Sequence, residues 1–316
     1  MARRERTPTK HTSHRSGTKH PEMNEPDPSL GGARRPTGVP TLYHYTSIES
    51  MIAIFQSRRI RLSSASTMND TSEGEWLLGR LIEVDNQQRI EGRERTLEEE
   101  QTRAMLLRLA FREGAPQAYL ACFSEKGDLL SQWRAYARDG EGVAIGFDPN
   151  DGRLPVVDAP PHTNAGPALA CTLNRVTYGS ADLVAALDVL IHATVPGGVN
   201  PESFFALQMQ LSGLRWLVKN PAFQEEHEWR IVNLPLQFAG DVGGGNTSIG
   251  ALGSRGYRQA GNRLVSFYEM PYESAAVTDL VLGPGCAIHD HELALLLHDC
   301  ELTHVRVHRS EATYRR

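Results

Sequence analysis

The sequence predicts an α+β fold: one mixed β-sheet flanked by helices, in a single domain at 40–316 behind a tail at 1–39. Three observations carry this expectation. Short apolar or alternating runs recur from Leu42 to the C-terminus, amphipathic stretches separate them in no regular βαβ order, and apolar periodicity is nearly absent before Pro40.

The elements follow in order. Residues 1–39 are rich in Pro, Thr, Ser, Gly, His and charge, and bury too little apolar surface to offset the entropy of ordering, so a disordered basic tail is expected, with a basic arm touching nucleic acid as its alternative. Pro40–Tyr45 reads as a short aromatic strand, after which Thr46 or Ser47 caps a helix with apolar positions Ile48, Met51, Ile52, Ile54 and Phe55. Arg59–Ser63 alternates as a second strand. The polar turn at Asn69–Glu73 opens a helix through Trp76 and Leu81, and 83–113 reads as mostly helical. Ala118–Ser124 is an unbroken apolar run, hence a buried strand. A short helix at 129–136 and a strand at 142–148 follow. A Pro- and Gly-rich connection, 149–168, leads to a strand near 171–178 and a helix near 181–193. The amphipathic run at 201–219 predicts one helix, 229–235 a strand, and the Gly-rich 239–262 a long loop. Strands near 263–269, 277–282 and 303–308, with a helix at 289–299, complete the chain.

Composition narrows the class. Forty per cent hydrophobic residues and a net charge of −5 describe a soluble globular protein. Residues 1–40 carry eight Lys/Arg against four acids, a net +4 that leaves the remainder near −9. An acidic body argues against broad non-specific DNA binding. Cys122, Cys171, Cys286 and Cys300 lie far apart with no Cys-x-x-Cys pair, which argues against a structural zinc or a disulfide framework. No apolar run is long enough to cross a bilayer and the N-terminus lacks the apolar core of a secretory signal, so a cytoplasmic protein with no membrane partner is expected.

Several motifs can carry chemistry, each beside a plainer role. Glu226 and Glu228 form a Glu-x-Glu step before an apolar run. On a strand, side chains two apart share a face, and two such carboxylates can divide the work of base or charge stabiliser and orienting group. The same segment also reads as a solvated acidic loop. His44, between Tyr43 and Tyr45, is either a half-buried structural histidine or a donor to a ligand hydroxyl. Thr46 and Ser47 could share that task or only cap the helix. Asn69-Asp70-x-x-Glu73 is close to a capping box, with ligand contact as its alternative. Ser124 emerges at a sheet rim, and no nearby His makes it or Cys122 an obvious nucleophile. Trp133 and Tyr136, at i, i+3, wall an aromatic pocket or pack in the core. The glycines of 240–246 lack the Gly-Lys-Ser/Thr ending of a phosphate-binding loop. His289 and His291, at i, i+2 on a helix, do not face one metal, and no metal site is expected.

Taken together, Leu42-Tyr43-His44-Tyr45-Thr46-Ser47, Asn69-Asp70-x-x-Glu73, Cys122-Phe123-Ser124-Glu125, Trp133-x-x-Tyr136, Gly142-Val143 through Phe147-Asp148, Lys219 leading to Glu226-x-Glu228-Trp229-Arg230, and the closing Ser310-x-x-x-Tyr314-Arg315 resemble a bacterial family known as domain of unknown function 2971. The resemblance spans roughly 41–316. More distantly, a first-strand His, a Ser-bearing middle strand and a late Glu-x-Glu resemble the plan of ADP-ribosyltransferases, which implies a split mixed sheet and NAD as substrate. The resemblance assigns His44 to the nicotinamide ribose and Ser124 to pocket support, with Tyr45 or Tyr136 stacking on nicotinamide and Thr46 beside them. Glu228 would be catalytic and Glu226 would orient the acceptor. Two departures stand out: the middle strand has no Ser-Thr-Ser, and His44 is followed by Tyr45-Thr46 rather than Gly-Thr.

The leading expectation is an NAD-using ADP-ribosyltransferase-like enzyme, of a toxin or anti-phage defence type, with a protein or nucleic-acid acceptor. The alternatives are a non-catalytic nucleotide-sensing or interaction module, and a metal-dependent hydrolase of nucleotides or nucleic acid that uses Glu226 and Glu228.

Overall fold

The computed structural model describes residues 36–67, 73–92, 94–111, 117–157, 171–179, parts of 181–188, 201–238, 247–249 and 251–312. The expected tail at 1–39 lies outside these residues except for 36–39, as do Asn69, Asp70, Tyr314 and Arg315.

The first strand, β1 (Leu42–Thr46), feeds α1 (Ile48–Ser57) through the Ser47 cap, whose hydroxyl accepts from the Ser50 N–H at 3.1 Å. Such a cap contributes about 1 kcal/mol. Met51, Ile54 and Phe55 form the buried stripe of α1, and Arg58 closes it in a left-handed conformation, φ 52°. The next strand, β2 (Arg59–Ser64), alternates exposed and buried residues as its sequence does.

Two helices follow, α2 (Glu73–Ile90) and α3 (Leu97–Phe111). The expected helical run at 83–113 is therefore interrupted. A capping box restarts it: the Thr96 N–H donates to Glu99 Oε2 (2.8 Å) and the Glu99 N–H to Thr96 Oγ1 (3.2 Å). Strand β3 (Tyr119–Ser124), helix α4 (Leu130–Tyr136) and strand β4 (Val143–Phe147) stand where expected. Beyond them run β5 (Val156–Val157), β6 (Cys171–Arg175) and β7 (Thr177–Tyr178).

The predicted helix at 201–219 ends early, as α5 (Pro201–Leu214). Trp216 and Leu217 turn into a separate apolar cluster with Leu120 and Val232, and Val218–Lys219 form β8, parallel to β7. A 3₁₀ turn, Pro221–Glu226, leads into β9 (Glu228–Asn233). The Gly-rich 239–262 is not one loop. After β10 (Leu236–Phe238) it contains β11 (Thr247–Ile249) and β12 (Gly256–Ala260). Gly256 suits a strand here because the Phe267 ring lies against it, 2.5 Å from where a Cβ would stand. Then come β13 (Arg263–Pro271), β14 (Val277–Leu282), α6 (Asp290–Asp299) and β15 (Arg306–Arg309).

Eleven strands form one mixed sheet whose main path runs β12-β13-β2-β3-β1-β4-β14-β15, with β9, β6 and β5 branching from β3. Most pairs are antiparallel; β14–β15 and β5–β6 are parallel. The sheet forks at β3. One edge pairs along its whole length with β9, Tyr119↔Asn233 through Ser124↔Glu228. The other is shared, β2 taking Tyr119 and Leu120 and β1 taking Ser124. The main core packs the sheet against α1 and α6, and a second apolar cluster joins α2, α3 and α5.

Candidate functional site

Four charged side chains meet where β9 begins. Lys219 Nζ donates to Glu226 Oε2 at 2.6 Å and to Glu228 Oε2 at 3.3 Å. Arg230 grips Glu228 from the same strand face, and Nη1 donates to the Trp216 carbonyl at 2.7 Å. All four are buried; Glu226, the outermost, is 9 % exposed and Glu228 6 %. Formal charges balance, as a buried cluster requires.

Glu226 and Glu228 do share a neighbourhood, although Glu226 lies in the 3₁₀ turn and not on the strand. His227 between them takes a left-handed conformation, φ 44° and ψ 49°, which turns the chain so that both carboxylates reach Lys219. Desolvation pushes the Glu228 pKa up, but Arg230, Lys219 and the Cys122 thiol outweigh it and hold the carboxyl below its ordinary value. Glu228 is therefore an ionised carboxylate in a dry setting.

Aromatic residues rim the cluster. Tyr178, beside Lys219 in the β7–β8 register, accepts the Glu228 backbone N–H on its hydroxyl at 2.8 Å. Its pKa is pushed up to about 12, first by desolvation and then by Glu228 and Glu226. Tyr136 is 42 % exposed, yet desolvation and the nearby Glu226 charge raise its pKa too. Lys219 Nζ stands 4.7 Å from the centre of the Phe223 ring. Next to this rim, Gly179, Ala181 and Pro221 line a cleft of about 280 Å³ with Trp76 and Arg80 of α2.

The other expected ligand contacts are engaged elsewhere. Ser124, 1 % exposed, aligns with Glu228 and Tyr43 across three neighbouring strands. Its hydroxyl donates to the Glu226 carbonyl at 2.7 Å and accepts the Lys126 N–H, so it fixes the chain that carries Glu226. The Tyr45 hydroxyl donates to the Lys126 carbonyl and accepts the Leu129 N–H, and its ring packs edge-on against Trp133. Thr46 is buried at the end of β1, and the helix cap falls to Ser47. His44 donates from Nδ1 to the Cys122 carbonyl at 2.9 Å, and desolvation lowers its pKa. It lies one strand from Cys122 and two from Glu228, about 10 Å away at ordinary strand spacing. The structure thus brings Glu226, Glu228 and Tyr136 together and leaves His44, Tyr45, Thr46 and Ser124 as the frame around them.

Sequence reasoning missed Lys219 and Tyr178 as site residues. Tyr178 has no local signal and Lys219 stood in the family motif without a site role; the pairing of β7 with β8 sets the two side by side. Arg230 was signalled, standing two residues after Glu228 on a strand and so on its face. Among the described residues, no cluster of His, Cys, Asp and Glu could hold a metal ion, and no helix is long and apolar enough to cross a membrane.

No curated protein and no solved structure matches the chain. The model of the family described as Protein of unknown function (DUF2971) matches residues 132–231, a segment that runs from α4 to β9 and contains Trp133, Tyr136, Lys219, Glu226, Glu228 and Arg230. Residues 132–231 of the chain are thus similar to the DUF2971 family.

Proposed function

We propose that the chain uses NAD and transfers ADP-ribose, with Glu226 and Glu228 as the reacting carboxylates. The observation that carries this reading is an ionised, desolvated Glu228 beside a second carboxylate, under a tyrosine rim, at the fork of the sheet. Cleaving the nicotinamide–ribose bond sends the bonding electrons to nicotinamide and leaves positive charge on the ribose, which fixed carboxylates stabilise in a dry site. The acceptor oxygen or nitrogen then bonds to the ribose carbon, and Glu226, at the rim, takes the acceptor's proton. Tyr136 offers an exposed ring for the nicotinamide, and the cleft beside Trp76 and Arg80 offers an aromatic wall and a guanidinium to the rest of the dinucleotide.

One observation favours a second reading, a nucleotide-binding module without chemistry: Arg230 and Lys219 together neutralise Glu228. Nicotinamide release from NAD, with saturable NAD binding followed alongside, separates the two. Release that disappears in Glu226→Gln while far-ultraviolet dichroism shows the variant folded at the assay temperature supports the transferase. Binding without release by the parent chain supports the module, and absence of both removes both readings.

A further inference from the structure

The chain carries a net charge of −5, yet two of its segments contain no acid at all: 50–69, with Arg58, Arg59 and Arg61, and 251–268, with Arg255, Arg258 and Arg263. The fold joins them. Strands β2, β13 and β12 are neighbours, with Arg61↔Glu269, Ser63↔Phe267↔Gly256 and Val265↔Arg258 in register. Directly paired residues share a face, and so do residues two apart. Arg59, Arg61, Arg258 and Arg263 therefore stand on one face of this ladder, and all four are exposed. Glu269 is the one carboxylate in these three strands, and it pairs with Arg61 at 3.1 Å. Arg258 reaches only the Ser63 hydroxyl, at 3.4 Å, and among the described residues neither Arg59, Arg258 nor Arg263 has a carboxylate partner. Arg61 spreads its guanidinium 4.6 Å above the buried Phe267 ring, which holds that cation in place.

Exposed arginines without counter-charges repel one another and raise the free energy of the folded chain, a cost that a polyanion removes. Their spread fits a polymer and not a single small anion. Arg61 and Arg258 are two strands and four residues apart, so the row runs roughly 15–20 Å across the sheet. Guanidinium groups match phosphate oxygens in pairs, and a line of them follows a phosphodiester backbone.

We propose that this arginine face of the β2–β13–β12 ladder binds nucleic acid through its phosphate backbone. It does not rest on the NAD reading, because no residue of the candidate site belongs to the face.

The test is fluorescence anisotropy of the full chain with labelled single-stranded RNA, single-stranded DNA and duplex DNA across a salt series. Four phosphate contacts predict a slope of log affinity against log salt of about −3 to −4. The double variant Arg258→Glu/Arg263→Glu is expected to lose at least about tenfold in affinity and about half the slope. Arg89→Glu, which makes half that charge change on α2, is expected to leave both near the parent values. Whichever nucleic acid binds most tightly identifies the form recognised. No saturable binding of any of the three, equal loss in Arg89→Glu and the double variant, or equal affinity for polyglutamate would each overturn the proposal.

Discussion

Arg230 holds Glu228, its neighbour two residues back on the same strand, with Nε at 2.7 Å and Nη2 at 2.9 Å from the two carboxylate oxygens. Strand geometry puts both on one face, and burial makes each depend on the other. Removing one partner of a buried pair leaves an uncompensated charge, so Arg230→Met is expected to cost about 3–5 kcal/mol in urea unfolding. The double variant Glu228→Gln/Arg230→Met is expected to recover much of that loss. An Arg230→Met chain within about 1 kcal/mol of the parent would show that Glu228 carries no buried charge.

Stability is expected to fall in two stages as pH drops. The folded pKa of His44 lies below its ordinary 6.5, so the unfolded chain takes up this proton first, and the contribution, complete above 6.5, erodes beneath it. Glu228, Asp128 and Asp279 also have lowered folded pKa values. Their contributions are complete above the ordinary carboxylate values, 4.5 for Glu228, and are lost as pH falls through the folded ones. Urea titrations at successive pH values should show both stages. His44→Asn should remove the first and leave the second; loss of both would place the first stage elsewhere.

Gly142 is expected to resist substitution. A Cβ there would run into the Thr46 carbonyl and stand 3.0 Å from the Ala137 carbonyl, both backbone atoms that cannot swing aside. Gly142→Ala should therefore destabilise by about 1–3 kcal/mol, and more if β1 cannot shift. Thermal unfolding checks this, and an unchanged midpoint would mean that the end of β1 gives way.

Asp128 ties the chain's last described residues to α4. It accepts from Trp133 Nε1 at 2.6 Å, from the Ser310 hydroxyl at 2.5 Å and from the Glu311 N–H at 2.7 Å. Asp128→Ala leaves the indole N–H of fully buried Trp133 without its acceptor, a loss of about 1–3 kcal/mol. The near-ultraviolet dichroism of Trp133 and amide exchange at 310–312 should both change. Ser310→Ala should alter only the second.

Local pattern made much of this legible. The alternation in Arg59–Ser64, the apolar Tyr119–Ser124 and the stripe of α1 each encode their element over a few residues. What escaped depends on distant neighbours. The run at 201–219 has helical periodicity throughout, but Trp216–Lys219 gain more by joining Leu120, Val232 and β7. Glycines suggested a loop at 239–262, whereas Gly256 is a strand residue because Phe267 needs the space. At the site, spacing led to Glu226 and Glu228 through strand alternation, while the left-handed His227 and the distant Lys219 bring them together.

The fork at β3 leaves a seam in this sheet. Between Leu120, paired to β2, and Ser124, paired to β1, the shared edge has no ladder partner for three residues, and the His44 imidazole takes the Cys122 carbonyl in place of a backbone donor. Across these three residues a side-chain hydrogen bond stands where a ladder bond would, and the His44 ring packs against Phe123 at 5.5 Å. At this seam side chains, not a backbone ladder, join β1 to β3, and it lies directly beside Cys122, whose thiol bonds Glu228.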